Sequence, residues 1–356
     1  MKPANTQISP DPETELVSWG WNDKLASDFE TLAGPDLEPG RVTVEFNQFF
    51  RIQTGQGEIL AEVSGRLKHE ATSRAELPAV GDWVTIRRNS QDDKATIHSI
   101  FPRRSKFTRK VKGNKTDEQV IAANVDTVFL TTSLNHDFNP RRIERYLAIA
   151  WESGARPVIL LTKSDLCPDP ESMVARIRDL ATVPCLPISA LNQREEFLAA
   201  ISPYLITGQT IALIGSSGVG KSTLLNQLLG ENRQKVNTVR ESDDRGLHTT
   251  RHRELIRLPN HTLVIDTPGM REIQLWDLEE GVETTFDDIE SLSSKCRFSD
   301  CTHLREPGCA VNQAVKAGKL DSARLQNYLK LQGELQTLAA RRRSKRPPGK
   351  PPARRN

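Results

Sequence analysis

Gly215-Ser216-Ser217-Gly218-Val219-Gly220-Lys221-Ser222 fits G-x-x-x-x-G-K-[ST], between the apolar run Ile211-Ala212-Leu213-Ile214 and the helix-like stretch Leu224 to Leu229. Strand, glycine loop and helix start are the parts of a phosphate cradle. The glycines let backbone N–H groups converge on an anion, and the helix start adds partial positive charge. Lys221 neutralises outer phosphates, Ser222 supplies a magnesium ligand, and Thr223 is a further nucleotide-binding residue at the helix start. A nucleoside triphosphate with magnesium is the expected ligand.

Two motifs ahead of that loop select the base. Thr162-Lys163-Ser164-Asp165 follows a predicted strand end, where Asp165 would accept guanine N1–H and N2–H together while Lys163 covers the base plane. Adenine lacks the second donor and would leave a buried carboxylate unpaired. Ser189-Ala190-Leu191, after the next strand, offers a backbone N–H for guanine O6. The pair resembles the base-recognition motifs of translation-factor-type GTPases, whose usual first motif is N-K-x-D. Thr162 stands in place of that Asn, which in the family ties this loop to the phosphate loop and the base. Either weaker affinity or a compensating contact follows from the Thr, and Asp165 keeps the specificity.

Phosphate sensing falls to Asp266-Thr267-Pro268-Gly269: Asp266 would hold magnesium through water, and the Gly269 N–H would touch the gamma-phosphate. One of Thr249 and Thr250, in Gly246-Leu247-His248-Thr249-Thr250, is expected to complete the magnesium shell. Met270 occupies the place where many GTPases carry the Gln that orients water, so slow intrinsic hydrolysis stimulated by a partner is expected. His248 either substitutes for that Gln or merely contacts phosphate or partner. Gly218 stands where potassium-dependent GTPases carry Asn, so no potassium requirement is expected.

Base recognition thus precedes phosphate chemistry, the reverse of the ordinary order, as a circular permutation with its cut just after Gly269 would produce. Loss of the gamma-phosphate could then pull directly on the C-terminal region. That region holds Cys296-x4-Cys301-x-His303-x5-Cys309, a complete tetrahedral shell for a structural zinc. Disulfides are the competing reading, poorly suited to a cytosolic chain and silent about His303.

The elements that must position these groups follow from pattern. At 356 residues the chain has room for two or three cores. No apolar run approaches the roughly 20 residues of a membrane helix, and the first 30 residues are acidic, so a cytoplasmic chain without a membrane partner is expected. Residues 1–38 read as a disordered acidic arm, in which Trp19 and Trp21 could dock somewhere. Residues 39–110 show short alternating runs, Val42 to Phe46, Glu58 to Val63, Asp82 to Ile86 and Ala95 to Ile100, which predict a small antiparallel barrel of about five strands. An OB-fold that binds oligonucleotides is the leading form, an SH3-like or purely structural barrel the other. Residues 115–284 alternate apolar strands with helical segments, six strands in all, the pattern of an α/β P-loop domain. A zinc-binding module with a helix marked by Leu325, Leu329, Leu335 and Leu338 fills 285–340, and 341–356 form a basic disordered tail. Arg103 to Lys115 holds seven basic residues and the tail eight, with no acidic residue in either. Such blocks contact nucleic-acid phosphates or stay solvated.

Barrel, permuted GTPase domain and Cys-x4-Cys-x-His-x5-Cys in that order resemble the RsgA family of small-subunit-dependent GTPases over about residues 40 to 340. Val80-Gly81-Asp82-Trp83-Val84, Ala122-Ala123-Asn124-Val125-Asp126 and Gly246 to Thr250 each resemble family signatures. Thr162, Leu247 and the acidic arm depart from it. The resemblance implies a monomeric late maturation factor that binds the small ribosomal subunit and its rRNA through barrel and zinc module, with GTP hydrolysis stimulated by the subunit and linked to release. A nucleotide-gated RNA-binding chaperone, in which turnover matters little, shares every motif. A zinc-dependent nucleic-acid module with a relic nucleotide site conflicts with intact Lys221, Ser222 and Asp266.

Overall fold

In the computed structural model the described residues are 12–343, apart from 33, 47, 90–91, 111–117, 136–137, 191–192, 217, 231–252, 267–281 and 283. The chain divides into two units, Met1–Asn139 with Ser153–Ile273, and Pro140–Glu152 with Gln274–Asn356.

The first unit begins with helices α1 (Pro12–Ser18) and α2 (Asp23–Leu32). They correct the expectation of disorder for this part of the arm. Its apolar residues are too sparse to show a period, but aromatic rings bury large areas singly. Leu16, Trp19 and Leu25 are buried, and Trp21 meets Trp83 and Phe101 edge-on at centroid separations of 5.0 and 6.1 Å.

Five strands follow: β1 (Glu38–Phe46), β2 (Phe49–Thr54), β3 (Gly57–Val63), then, after the short helix α3 (Gly65–Glu70), β4 (Trp83–Arg88) and β5 (Lys94–Ile100). Their order β1-β2-β3-β5-β4 closes through β4 on β1, with β3 and β5 parallel, which is the OB-like barrel. Inward residues such as Val42, Ile52, Ile59, Ala61, Val84, Ile86 and Ile97 form its core. Strand β2 has no counterpart in the runs read from sequence: Arg51 and Gln53 interrupt its apolar residues. The basic connector likewise folds in part, as β6 (Lys106–Lys110) paired with β7 (Glu118–Ala123).

The α/β sheet comprises β8 (Thr127–Ser133), β9 (Arg156–Thr162), β10 (Cys185–Ile188), β11 (Thr210–Gly215), β12 (Arg253–Arg257) and β13 (Leu263–Asp266), in the order β10-β9-β8-β11-β13-β12. These are the six expected strands, parallel except for β12, which runs antiparallel to β13. Among the described residues, helices α5 (Pro170–Arg178), α6 (Arg194–Ile201) and α7 (Lys221–Leu229) alternate with these strands along the chain. Helix α4 (Pro140–Ser153), between β8 and β9 in sequence, groups with the second unit.

Barrel and α/β sheet are continuous. Residues 38–41 of β1 pair with β4, and where β4 leaves off, Val44 and Glu45 pair with Glu254 and Arg253 of β12. Two of the sequence signatures meet beside this joint. Gly81 has φ +93, and a Cβ there would lie 2.2 Å from Ala123 O, so the close approach admits only glycine. Asn124 Nδ2 donates to Gly81 O at 3.1 Å, and Asp82, fully buried, accepts from Arg103 Nε and Nη2 at 2.8 and 2.7 Å. Burial pushes the Asp82 carboxyl up, and the Arg103 guanidinium opposes it.

The second unit contains α4 with α8 (Asp287–Ser293), α9 (Ala310–Lys316) and α10 (Ser322–Arg343). Its polar centre is Arg324, which donates to Glu144 Oε1 at 2.6 Å, to both oxygens of Asp288 at 2.9 and 2.8 Å, and to Thr285 O at 2.9 Å. Four donated bonds explain how a guanidinium stays buried. Helix α10 runs through Arg343, past the boundary of 340 expected for the module.

Candidate functional site

Strand register assembles the site. Ile188 of β10 lies beside Thr162 of β9, Thr162 beside Ser133 of β8, and Thr131 of β8 beside Gly215 of β11. The segments following these strands therefore leave one carboxyl edge of a parallel sheet, where α/β folds bind ligands. Thr162-Lys163-Ser164-Asp165, Ser189-Ala190 and the glycine loop are brought together there.

Side chains lock the Thr162 to Asp165 loop to the glycine loop. Thr162, 4% exposed, donates its hydroxyl to Val219 O at 2.7 Å, and Lys163 Nζ donates to Gly218 O at 3.1 Å. Lys163 takes φ +58, and Ser164 and Asp165 form the single 3-10 turn that follows. The tie expected of the missing Asn is thus made by a shorter hydroxyl. Lys163 is turned to the loop backbone, a contact that spacing alone did not predict. Ser189 and Ala190 are buried, and Ser189 Oγ has no hydrogen-bond partner among the described residues.

In the phosphate loop Gly220 takes φ +104 directly before α7 and provides no side-chain cap, so the helix start presents backbone N–H groups. Lys221 Nζ donates to Gly215 O and Ser216 O at 2.7 and 2.6 Å, which keeps a cation at the loop. Ser222 and Thr223 lie in the first turn of α7, and Asp266 ends β13. Ser217, His248, Thr249, Thr250, Gly269 and Met270 lie outside the described residues.

Arg41, which carries no motif, and Asp126, the last residue of the Ala122 to Asp126 signature, hold the start of the strand that leads to the glycine loop. Arg41 of β1, 1% exposed, donates to Thr210 Oγ1 at 2.6 Å and to Trp19 O, while Asp126 Oδ2 accepts from Thr210 N at 2.8 Å. Burial lowers the Arg41 guanidinium to about 10, against the pull of Asp126, so it stays charged near neutrality.

In the second unit Cys296, Cys301, His303 and Cys309 place one ligand atom each within 4.8 Å of one another. Cys296 Sγ to Cys309 Sγ is 3.9 Å, and His303 Nδ1 lies 3.7 and 3.5 Å from those two sulfurs. A tetrahedral zinc with its usual bond lengths needs ligand separations of about 3.5–3.8 Å. The donor set and its spacing therefore fit such an ion. Ser293 Oγ lies 2.9 Å from His303 Nε2 and leaves Nδ1 as the ligating nitrogen. Asn312 N donates to Cys309 Sγ at 3.3 Å. Burial pushes the Cys301 thiol up to about 11, and the neighbouring thiols add to the shift. A bound cation reverses that order. Ser293 could not be found from sequence, since a lone Ser before a Cys motif carries no signal.

Comparison with known proteins agrees with this geometry. The family model described as RsgA GTPase matches residues 100–276. The Small ribosomal subunit biogenesis GTPase RsgA of Opitutus terrae is 48% identical over 92% of this chain and 91% of its own, and that of Methanosarcina acetivorans 44% identical over 89% and 84%. Among solved structures, YjeQ from Thermotoga maritima superposes with a TM-score of 0.61 at 25% identity, covering 84% of this chain and 98% of that one. YloQ, described as a circularly permuted GTPase, gives 0.60 at 26%, covering 85% and 96%. With its barrel, permuted sheet and Cys/His cluster, this chain belongs to the RsgA family of GTPases.

Proposed function

We propose that this chain binds GTP with magnesium and hydrolyses it to GDP and phosphate on the small ribosomal subunit, late in that subunit's maturation and stimulated by it. The observation that carries the reading is the pair of bonds from Thr162 and Lys163 to Val219 and Gly218. One ligand that carries both a base and phosphates is what such a junction suits. Asp165 reads guanine, Lys221 steadies the phosphates, and Ser222 and Asp266 hold magnesium. Thr249 or Thr250, Gly269 and His248 act at the gamma-phosphate.

Zinc on Cys296, Cys301, His303 and Cys309 holds the C-terminal module together. Barrel and zinc module contact rRNA, supported by the basic excess of the connector and tail. The relatives named above carry small-subunit biogenesis in their names. The protein acts as a cytoplasmic monomer, in keeping with the lack, among the described residues, of a helix long and apolar enough to cross a membrane. We place the domain boundaries at 39–110, 115–284 and 285–340, with the helices of residues 12–32 added to the barrel and α4 to the C-terminal module.

The test is steady-state turnover of GTP and ATP by the full chain, with and without purified small subunits. Turnover of GTP alone, raised by subunits and abolished by Asp165→Ala, is the expected result. Equal turnover of ATP, or indifference to subunits, overturns the reading.

A further inference from the structure

The two strands next to the barrel are the ones that lead to magnesium. Val44 of β1, Glu254 of β12 and Asp266 of β13 stand in one row across the sheet. Among the described residues Val44↔Glu254 and Glu45↔Arg253 register β1 on β12, and four pairs register β12 on β13. A slip of one residue moves a strand by about 3.3 Å and exchanges its faces. That exceeds a magnesium–oxygen bond of about 2.1 Å.

One ion pair sits on this row's neighbour. Arg253 Nη1 lies 2.8 Å from Glu45 Oε2, with side chains 11% and 18% exposed. Gln119 of β7 donates to Glu45 Oε1 at 3.1 Å, and Arg109 of β6 donates to Gln119 Oε1 at 3.4 Å. Burial opposes both charges, pushing Glu45 up and Arg253 down. A pair in that setting adds little net stability, and its best-attested use is to fix register.

We propose that Glu45 and Arg253 are positioning residues for GTP hydrolysis: their ion pair sets the register of β12 on the barrel, and with it the place of Asp266 at the magnesium ion. This rests on the GTPase reading above. It makes the barrel, one strand away, part of the hydrolytic geometry.

The experiment measures kcat, the magnesium concentration for half-maximal hydrolysis, GDP affinity without magnesium, and thermal unfolding, for wild type, E45R, R253E and E45R/R253E. Each single change is expected to lower kcat about tenfold to a hundredfold, the range for a misplacement of about an ångström. The magnesium requirement should rise while GDP affinity holds. The double exchange should restore both parameters to within about twofold, the scatter of a closed cycle. Should a single exchange fail to fold, E45Q, R253Q and their double decide: positioning requires the double to be no worse than either single. Wild-type protein that does not turn over GTP refutes the GTPase reading itself. Active wild type with folded single variants that match it, or with a folded double exchange that recovers nothing, refutes the positioning role.

Discussion

Thr162→Val removes one hydroxyl while keeping the shape of the side chain. The lost bond is the 2.7 Å donation to Val219 O, at a position 4% exposed, so water cannot replace it freely. Leaving a buried carbonyl without its donor costs about 1–3 kcal/mol. Because the bond joins the loop expected to read the base to the loop expected to hold the phosphates, the cost falls on the arrangement that receives the nucleotide. About 1.4 kcal/mol corresponds to tenfold in affinity, so GDP and GTP should each bind about tenfold more weakly. Thr162→Ser keeps the donor and should stay near wild type. Preference for guanine over adenine should survive in every variant, since Asp165 is untouched. Titration with a fluorescent GDP, alongside thermal unfolding without nucleotide, separates affinity from stability. A folded Thr162→Val protein with unchanged GDP affinity would show that the tie does not serve the ligand.

The second unit offers two further tests. Glu144→Ala strands Arg324, which keeps Asp288, so the loss should lie at the low end for a broken buried pair, about 3 kcal/mol by urea unfolding. Burial holds the Glu144 carboxyl above its ordinary value despite Arg324. Its contribution is thus fully present below the unfolded-chain pKa and is lost as pH rises through the raised one. Glu144→Gln should remove that slope, so the stability advantage of wild type over the variant should shrink from pH 4 toward neutrality. Ser293→Ala frees His303 Nε2 and should weaken zinc about tenfold in competition with a chelator, with the bound metal identified by elemental analysis.

What could be read in the sequence was chemistry that demands local spacing. A phosphate loop needs its glycines and Lys within eight residues, and a tetrahedral metal site needs its Cys and His close in the chain, so Gly215 to Ser222 and Cys296 to Cys309 declare themselves. The α/β strands other than β12, which reads Arg253-Glu254-Leu255-Ile256-Arg257, announce themselves by apolar runs. The contacts that hold those loops in place did not. Arg41 reaches Thr210 across 169 residues, and Arg253 reaches Glu45 across 208. Arg, Thr and Glu at such distances look like any solvated surface. The helices of residues 12–32 escaped for a related reason: Trp83 and Phe101, on which Trp21 packs, lie in other parts of the chain, so the sequence of the arm shows nothing for it to dock on.

The permuted order explains why the barrel and the nucleotide chemistry share a sheet. In the order β10-β9-β8-β11-β13-β12, the last strand is an edge, and an exposed edge with unpaired backbone groups invites association. Strand β1 has the complementary problem, since β4 covers only residues 38–41 of its side. Pairing Val44 and Glu45 with Glu254 and Arg253 covers both edges at once. Because the sequence runs from β12 through β13 to Asp266, the strand that covers the barrel's edge is also the one that leads to the expected magnesium ligand. On the proposed reading, a partner that grips the barrel would load the hydrolytic site through the β1–β12 pairing and the Glu45–Arg253 ion pair beside it. Such a coupling should tolerate changes on the barrel's outer face and fail when Glu45 or Arg253 is changed.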